Sequence, residues 1–203
     1  MPRAGLDRSA VVTIALAVVD DGGPTGFADL TLAAVAARAG VAVPSLYKHV
    51  AGLPALRREV ALVCVEQLRD ALAAVDAEHG ADEHDERADD GTLRAMAHAV
   101  RDLARRSPGR YQAVQGSLWV HDPDADAVRA AGAAVVEHLA AAVAALGVPP
   151  ERRIDAVRAV RAAVHGFVVL ELDGGFGMPD DVDESFDFLV EGLVGGLRRV
   201  VVT

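Results

Sequence analysis

The sequence predicts an all-α protein, and three observations support that fold class. Hydrophobic residues make up 52% of the chain while aromatic residues make up 4%, and the prevalent alanine and leucine favour helices. Apolar residues recur with the period of an α-helix and do not alternate as they do in a strand. We therefore expect about nine helices, three short ones first and longer ones after, with no strand and no internal repeat.

Three short helices are predicted at the start of the chain. Residues 7–21 carry apolar side chains at helical spacing, and a Gly-Gly-Pro run ends this first helix. Thr31 occupies an N-cap position before a second helix, which Gly40 closes. A third helix is expected over 42–50, where Pro44 suits the first turn.

Six further helices are predicted behind this trio. They are expected over about residues 53–79, 92–107, 110–118, 122–146, 149–172 and 183–201. The charged segment 81–91 has no apolar face and is predicted to be a loop. This arrangement predicts a head of residues 1–52 and a larger body of residues 53–203.

The charge of the chain is unevenly distributed between these two parts. The formal net charge is −10, which argues against nucleic-acid binding by the whole surface. Residues 1–58, however, carry six basic against four acidic residues, whereas the remainder carries 14 basic and 26 acidic ones. A mildly basic head on an acidic body is therefore a candidate for binding a polyanion through the head alone.

The sequence also bears on the cellular compartment. Cys64 is the only cysteine, so no intrachain disulfide can form, which suits a reducing cytoplasm. The N-terminus shows no signal-peptide pattern. Charged residues interrupt the longest apolar helical stretches well before about 20 residues, so no membrane span is expected. We therefore predict a cytoplasmic protein that does not bind a membrane.

Residues 31–50 are predicted to form a helix, a tight turn and a second helix. Ala34, Val35 and Ala37 are expected to face inward on the first helix. Leu46 and Val50 are four residues apart and should anchor the second helix to the core. With a small turn between them, two such helices pack at close to a right angle.

The outer faces of these two helices carry groups that suit DNA. A major groove accepts one α-helix, in which Tyr47, Lys48 and His49 would donate to phosphates while Val43 would touch thymine methyl groups. The candidate DNA-contacting residues are Thr31, Leu32, Ala42, Val43, Pro44, Ser45, Tyr47, Lys48 and His49.

The helix-turn-helix of the head closes on Leu-Tyr-Lys-His-Val at residues 46–50 and is followed by Ala-Gly-Leu-Pro-Ala-Leu at residues 51–56. In this run the head resembles the tetracycline-repressor (TetR) family. The resemblance covers roughly residues 7–60. Val50 replaces the family's usual phenylalanine, and Pro44 stands where a small polar or basic residue is more frequent. Base readout is therefore expected to differ from that of other family members.

The body resembles a subgroup of the same family whose C-terminal domain carries a Trp-x-x-x-His-Gly run. Residues 163–166 read Ala-Val-His-Gly, Leu170-Glu171 and Gly175-Phe176 follow, and Arg161 stands in place of the tryptophan. The resemblance implies that the last two helices pair with those of a second subunit as a four-helix bundle. It also implies an effector pocket within the body.

Two sets of candidate residues follow for the body. The candidate ligand-binding residues are Trp119, Leu118, His165 and Val169. Core packing is an equally good interpretation of Trp119, and a hydrogen-bonded core or interface role is the favoured interpretation of His165. The candidate dimer-interface residues are Val164, Phe167, Phe186, Leu189, Leu193 and Leu197.

The preferred function is a ligand-responsive DNA-binding regulator, a repressor that a small-molecule effector releases from a palindromic operator. A homodimer would place its two recognition helices about 34–36 Å apart, one turn of DNA. The sequence contains no histidine spacing typical of a metal site and no nucleophile–base pattern, so neither a metal, a cofactor nor catalysis is expected. The alternatives are a helical-bundle enzyme and a scaffold protein with a degenerate head.

Overall fold

The computed structural model describes residues 6–79, 88–115 and 117–200, and in these ranges it is all-helical with no strand. The predicted fold class is thereby confirmed. The described residues form α1 (Arg8–Asp21), α2 (Leu32–Ala39), α3 (Val43–Leu46), α4 (Leu53–His79), α5 (Ala88–Arg106), α6 (Pro108–Val114), α7 (Ser117–Val120), α8 (Asp126–Ala145), α9 (Arg153–Leu172) and α10 (Val182–Val200).

Three helices differ from the sequence prediction. The single helix expected over 110–118 is divided into α6 and α7. The helix α5 begins at Ala88, inside the predicted loop 81–91, of which residues 81–87 lie outside the described ranges. The third helix is four residues long instead of nine, because its chain tightens at Tyr47. The backbone N–H of His49 donates to Leu46 O at 2.9 Å, an i→i+3 bond typical of a tightened last turn.

The chain divides into two compact units. Unit 1 comprises Met1–Glu66 and Arg106–Ala131, and unit 2 comprises Gln67–Arg105 and Gly132–Thr203. The boundary predicted at residue 52 therefore falls inside unit 1, which includes the first half of α4 together with α6 and α7.

In unit 1, α6 lies directly against the end of α1. A Cβ added to Gly109 would come within 2.7 Å of the carbonyl oxygens of Val19 and Gly23, so only a glycine permits this approach. The next residue, Arg110, donates two hydrogen bonds to the Asp20 carboxylate, at 2.7 and 2.5 Å. A backbone contact and a bidentate ion pair thus fix α6 to the first helix.

In unit 2, a ladder of ion pairs joins α5 to α10. Arg94 pairs with Glu191, His98 lies 3.2 Å from Asp187, and Arg101 lies 2.6 Å from Asp183. The members follow one another at three- and four-residue intervals, which is the spacing of neighbours on one face of a helix. The two helices are thereby held side by side in opposite directions.

Arg101 is the most buried member of this ladder, with 4% of its side chain exposed. Its Nε and Nη2 atoms donate to the two carboxylate oxygens of Glu171 on α9, at 2.8 and 2.7 Å. The guanidinium carbon lies 4.7 Å from the ring centroid of Phe186 and 5.7 Å from that of Phe167. The hydrogen bond with Glu171, outweighing the opposing effect of burial, raises the pKa of Arg101, which stays charged. One buried cation thus joins α5, α9 and α10.

The helix α8 is unusual because it is apolar and yet largely uncovered. It is the one helix in the described ranges long and apolar enough to cross a membrane, with a mean hydropathy of 1.4 and 22% of its window buried. The charged residues Arg129 and Glu137 lie within this helix, so charges interrupt its apolar sequence as expected. Length and composition alone are weak evidence for a membrane span, since core helices also meet this criterion.

Cys64 lies inside unit 1 on α4, with 1% of its surface exposed. Burial in this apolar setting raises the pKa of the thiol to about 12. The thiol therefore stays protonated at neutral pH, and it takes the place of a small apolar side chain in the core.

Candidate nucleic-acid interface

The turn between α2 and α3 depends on a glycine. Gly40 adopts a left-handed conformation with φ of 66°, which a residue with a Cβ adopts only at a cost. The backbone N–H of Val41 donates to Ala36 O at 3.0 Å, and that of Gly40 donates to Ala37 O at 3.2 Å. These two bonds form a Schellman motif, which ends α2 and directs the chain into α3.

The start of α2 is capped as the sequence predicted. The Thr31 hydroxyl oxygen accepts a hydrogen bond from Ala34 N at 3.2 Å. Acceptance occupies a lone pair of the oxygen and leaves its O–H free to donate. Thr31 is exposed and Leu32 is half-buried, so both predicted contact residues at this end reach the surface.

The inner faces of α2 and α3 are close to the prediction, with one exception. Leu46 is completely buried and Val50 nearly so, which confirms the predicted anchors. On α2 the buried residues are Val35 and Ala36, while the predicted Ala37 is exposed. Ala37 lies about 100° around the helix from Ala36, away from the stripe that faces the core.

The predicted contact residues of the 42–50 segment all lie at or near the surface. Tyr47 is 60% exposed. Ala42, Pro44 and Lys48 are also exposed, whereas Val43, Ser45 and His49 are half-buried. The segment Ala42–His49, which we call the reading segment, thus stands on the two anchors with its remaining side chains outward.

Lys48 is the free cation of this surface. It is the only lysine in the sequence, and it forms no ion pair within the described ranges. Three arginines among the described residues of the first 58 are engaged in ion pairs: Arg8 with Glu59, Arg38 with Asp21 and Arg58 with Asp122. The positive charge available to an anion at the reading segment is therefore concentrated on Lys48.

A cluster that sequence reasoning missed holds the loop leading into α2. Arg57, near the start of α4, donates through Nη2 to Ala28 O at 2.7 Å and to Leu30 O at 3.2 Å. Gln112 on α6 accepts a hydrogen bond from Ala28 N at 3.1 Å. These contacts fix the loop immediately before Thr31. The bonding partners are 27 to 84 residues apart in sequence, so no local pattern signals them.

Comparison with known proteins identifies the family. A family model described as the tetracyclin repressor-like C-terminal domain matches residues 93–193. The chain is 33% identical over 197 residues to the HTH-type transcriptional regulator YobS of Bacillus subtilis, covering 97% of this chain and 95% of that protein. It is 34% identical over 200 residues to the HTH-type transcriptional regulator Rv0681 of Mycobacterium tuberculosis, covering 97% and 84%.

The chain belongs to the TetR family of transcriptional regulators. Solved structures show the same fold. A protein from Rhodococcus sp. RHA1 superimposes with a TM-score of 0.76 at 24% identity, over 98% of this chain and 99% of that one. BioQ in complex with its double-stranded DNA operator superimposes with a TM-score of 0.56 at 25% identity, over 96% and 99%. This TetR-family chain is therefore a DNA-binding regulator and not an enzyme.

The structure places the predicted ligand-binding residues of this TetR-family chain in different surroundings. Trp119 is 7% exposed in unit 1. Its ring packs edge-on against that of Phe27, with 6.1 Å between the ring centroids, and its indole N–H donates to Ala113 O. His165 is half-buried on α9 in unit 2, and Val169 is exposed there. The side chain of Leu118 lies outside the described set. The Trp119 ring is thus occupied by core contacts, which favours the packing reading of that residue.

The predicted interface residues divide into two groups. Val164 and Phe186 are buried within the chain itself, so they have no surface to offer a partner. The half-buried members are Phe167, Leu189, Leu193 and Leu197. The most exposed apolar residue of α10 is instead Phe188, at 82%, which the predicted list omitted.

Proposed function

We propose that this regulator binds a palindromic operator as a homodimer, and that Thr31, Leu32 and the reading segment are its DNA-contacting surface. The observation that carries the proposal is the outward position of Tyr47 and Lys48 on a helix-turn-helix whose anchors, Leu46 and Val50, are buried. The likeness to BioQ, whose structure includes a double-stranded operator, supports the same surface.

The division of roles within this surface follows from position. In a helix-turn-helix, the N-terminal residues of the second helix contact base edges. Ala42, Val43 and Pro44 occupy that end, whereas Tyr47, Lys48 and His49 follow the last turn of α3. The phenol, ammonium and imidazole groups are donors suited to phosphate oxygens. We therefore propose that Tyr47, Lys48 and His49 position the protein on the duplex through phosphate contacts. Ala42, Val43 and Pro44 read the base sequence.

The test is the salt dependence of operator binding. Each phosphate contact made by a cation contributes about −0.9 to the slope of log K against log salt concentration, so Lys48→Ala should make the slope shallower by about that amount. Fluorescence anisotropy between low and high salt, with an operator selected by the protein from a random DNA pool, measures the slope. Lys48→Arg is the matched control and should keep it. A slope that is flat in the unaltered protein would contradict DNA binding through this surface.

The second subunit is proposed to cover the outer face of α9 and α10, which pack against each other. Val169 and Leu170 are exposed on α9, and Phe188 is exposed on α10. Gly166, Gly192 and Gly196 stand on the same two helices, and a Cβ added at any of them would meet nothing within 4 Å. Glycines that the chain itself does not need suit close approach by helices of a second copy, in an interface with apolar contacts at its centre.

Dimerisation is tested by Phe188→Glu. A carboxylate that must be buried without a partner should raise the dissociation constant of the dimer at least about 100-fold, since such burial costs several kcal/mol. Sedimentation velocity over a concentration series measures this change. Phe188→Leu, which keeps an apolar side chain at the same position, is the control and should leave the dissociation constant within a few-fold of that of the unaltered protein. A monomeric unaltered protein at micromolar concentration would overturn the proposed dimer.

We further propose that a small-molecule effector binds in unit 2 and releases the protein from its operator, as a repressor acting in the cytoplasm. The match of residues 93–193 to the repressor-like C-terminal domain supports this proposal. So does the middle of α8, residues 132–141, which is mostly apolar and contains no fully buried residue. Screening small molecules for a thermal shift and then for release of bound operator tests it. A compound that shifts the melting temperature without changing operator affinity would contradict the coupling.

A further inference from the structure

The outer face of the reading segment has an unusual composition for a surface that recognises DNA. Residues 42–49 read Ala-Val-Pro-Ser-Leu-Tyr-Lys-His, without arginine, asparagine, glutamine or an acidic residue. Its first three residues are apolar, yet Ala42 and Pro44 are exposed and Val43 is half-buried. These three apolar residues are not needed to attach the segment to the core, because Leu46 and Val50 already anchor it.

Each of the four bases is contacted by different protein groups in the major groove. Guanine is read by the paired donors of arginine or by lysine, adenine by asparagine or glutamine, and cytosine by a carboxylate. Thymine alone offers a methyl group, which apolar side chains contact. The side chains at the base-contacting end of the reading segment, Ala42, Val43 and Pro44, are apolar groups of the kind that contacts a thymine methyl. None of them is a group that reads guanine, adenine or cytosine.

Two residues at this end of the segment offer no free backbone donor. Pro44 has no N–H, and the N–H of Ser45 already donates to Ala42 O at 2.9 Å. The N-cap residue Ala42 makes no side-chain hydrogen bond. Ser45 offers a single hydroxyl, which pairs with a base edge or a phosphate but does not distinguish one base from the others.

We propose that this regulator reads its operator half-site chiefly through thymine 5-methyl groups, which Ala42, Val43 and Pro44 contact. The centre of each half-site is therefore rich in A·T base pairs. The inference rests on the proposed function, since it concerns the base readout of the same surface. It goes beyond that function because it states which feature of the DNA carries specificity.

The test begins with duplexes selected from a random pool by the unaltered protein. Each thymine of the selected half-site is then replaced singly by deoxyuridine, which removes the 5-methyl group and leaves base pairing intact. Loss of one buried methyl should weaken binding about fourfold at each contacted position. Substitutions in the flanking sequence should leave the affinity unchanged.

A double-mutant cycle locates the contact on the protein. In Val43→Ala the preference for thymine over deoxyuridine should fall toward one at the contacted position, because the side chain no longer reaches the methyl group. Lys48→Ala is the matched control and should weaken binding to both duplexes by the same factor. Thermal melting of the two variants confirms that both are folded.

The outcomes separate this inference from the proposed function. If no sequence is enriched from the pool, the proposed function itself fails. If a site is enriched but its half-sites are guanine-rich, the methyl readout is overturned and operator binding stands. The same holds if every deoxyuridine substitution leaves the affinity within twofold. Measurements with the unaltered protein decide these outcomes without any variant.

Discussion

Two helix pairs of this chain present opposite surface chemistry. The pair α2–α3 is joined by one left-handed glycine and presents a phenol, an ammonium and an imidazole beyond its last turn. The pair α9–α10 is joined by a longer segment and presents Val169, Leu170 and Phe188. Both pairs bury their other faces, so the difference lies in what each leaves outside.

The comparison shows that exposed side chains indicate a binding partner where they make no contact that the chain itself needs. Free donors on an anchored turn suit a polyanion, whereas exposed phenyl and aliphatic groups beside glycines suit another protein surface. The two pairs also differ in how they are held. α2 and α3 depend on a cap and a turn, while α9 and α10 depend on the buried Arg101.

The largest expected effect is on the second pair. Removing the buried cation in Arg101→Ala leaves the Glu171 carboxylate, which is 16% exposed, without its bidentate partner. The free energy of unfolding should fall by about 3 kcal/mol. Urea denaturation followed by circular dichroism measures it.

Arg94→Ala is the matched control for Arg101→Ala, because it removes a more exposed rung of the same ladder. Glu191, the partner of Arg94, is 59% exposed, and such surface pairs contribute at most about 1 kcal/mol. Equal losses in the two variants would show that burial of Arg101 is not what holds α9 and α10.

A smaller effect is expected on the first pair. In Gly40→Ala, the alanine must adopt the left-handed backbone φ of 66°. This conformation should lower the free energy of unfolding by about 1–2 kcal/mol. Operator affinity should fall with stability, because the turn sets the direction of the reading segment. Thermal unfolding and anisotropy measure the two quantities.

The control for this turn is a glycine in a right-handed helix. A Cβ at Gly132 on α8 meets nothing within 4 Å. Gly132→Ala should therefore gain about 0.5–1 kcal/mol of stability from helix propensity. A loss there, or no loss at Gly40, would remove the distinction between the two glycines.

The smallest effect is the pH dependence contributed by His165 on α9. Burial, with a contribution from Arg161, lowers the pKa of this imidazole in the folded chain. The unfolded chain then binds the proton more readily, so the stability from this group is complete above about pH 6.5 and is lost as the pH falls through the folded pKa. Urea titrations at several pH values should show a shallower acid loss in His165→Gln. A parallel loss in both proteins would exclude His165 as its source.

Much of the first pair was predictable because its signals are local. Thr31 three residues before the N–H that it caps, Gly40 at the turn, and Leu46 four residues before Val50 are all short-range patterns. The shortening of α3 was not predictable, since it depends on the backbone angles at Tyr47. No propensity distinguishes that tightened turn from a continuing helix.

The parts held by long-range contacts were not visible in the sequence. Arg101 and Glu171 are 70 residues apart. Nothing near either residue in the sequence distinguishes it from an ordinary charged surface residue. The same reason explains why Phe186 was assigned to an interface. Its place on a wide apolar face did not reveal that the core of the chain would bury it while Phe188 stays outside.

The buried thiol of Cys64 makes this regulator convenient for site-directed labelling. Because the sulfur is inaccessible and protonated at neutral pH, maleimide and methanethiosulfonate reagents should leave it unmodified in the native fold. A cysteine introduced at Ser185 would then be the sole attachment point for a spin label. Two such labels in a pair of subunits would report the spacing between copies of α10 directly, with no need to remove a native residue first.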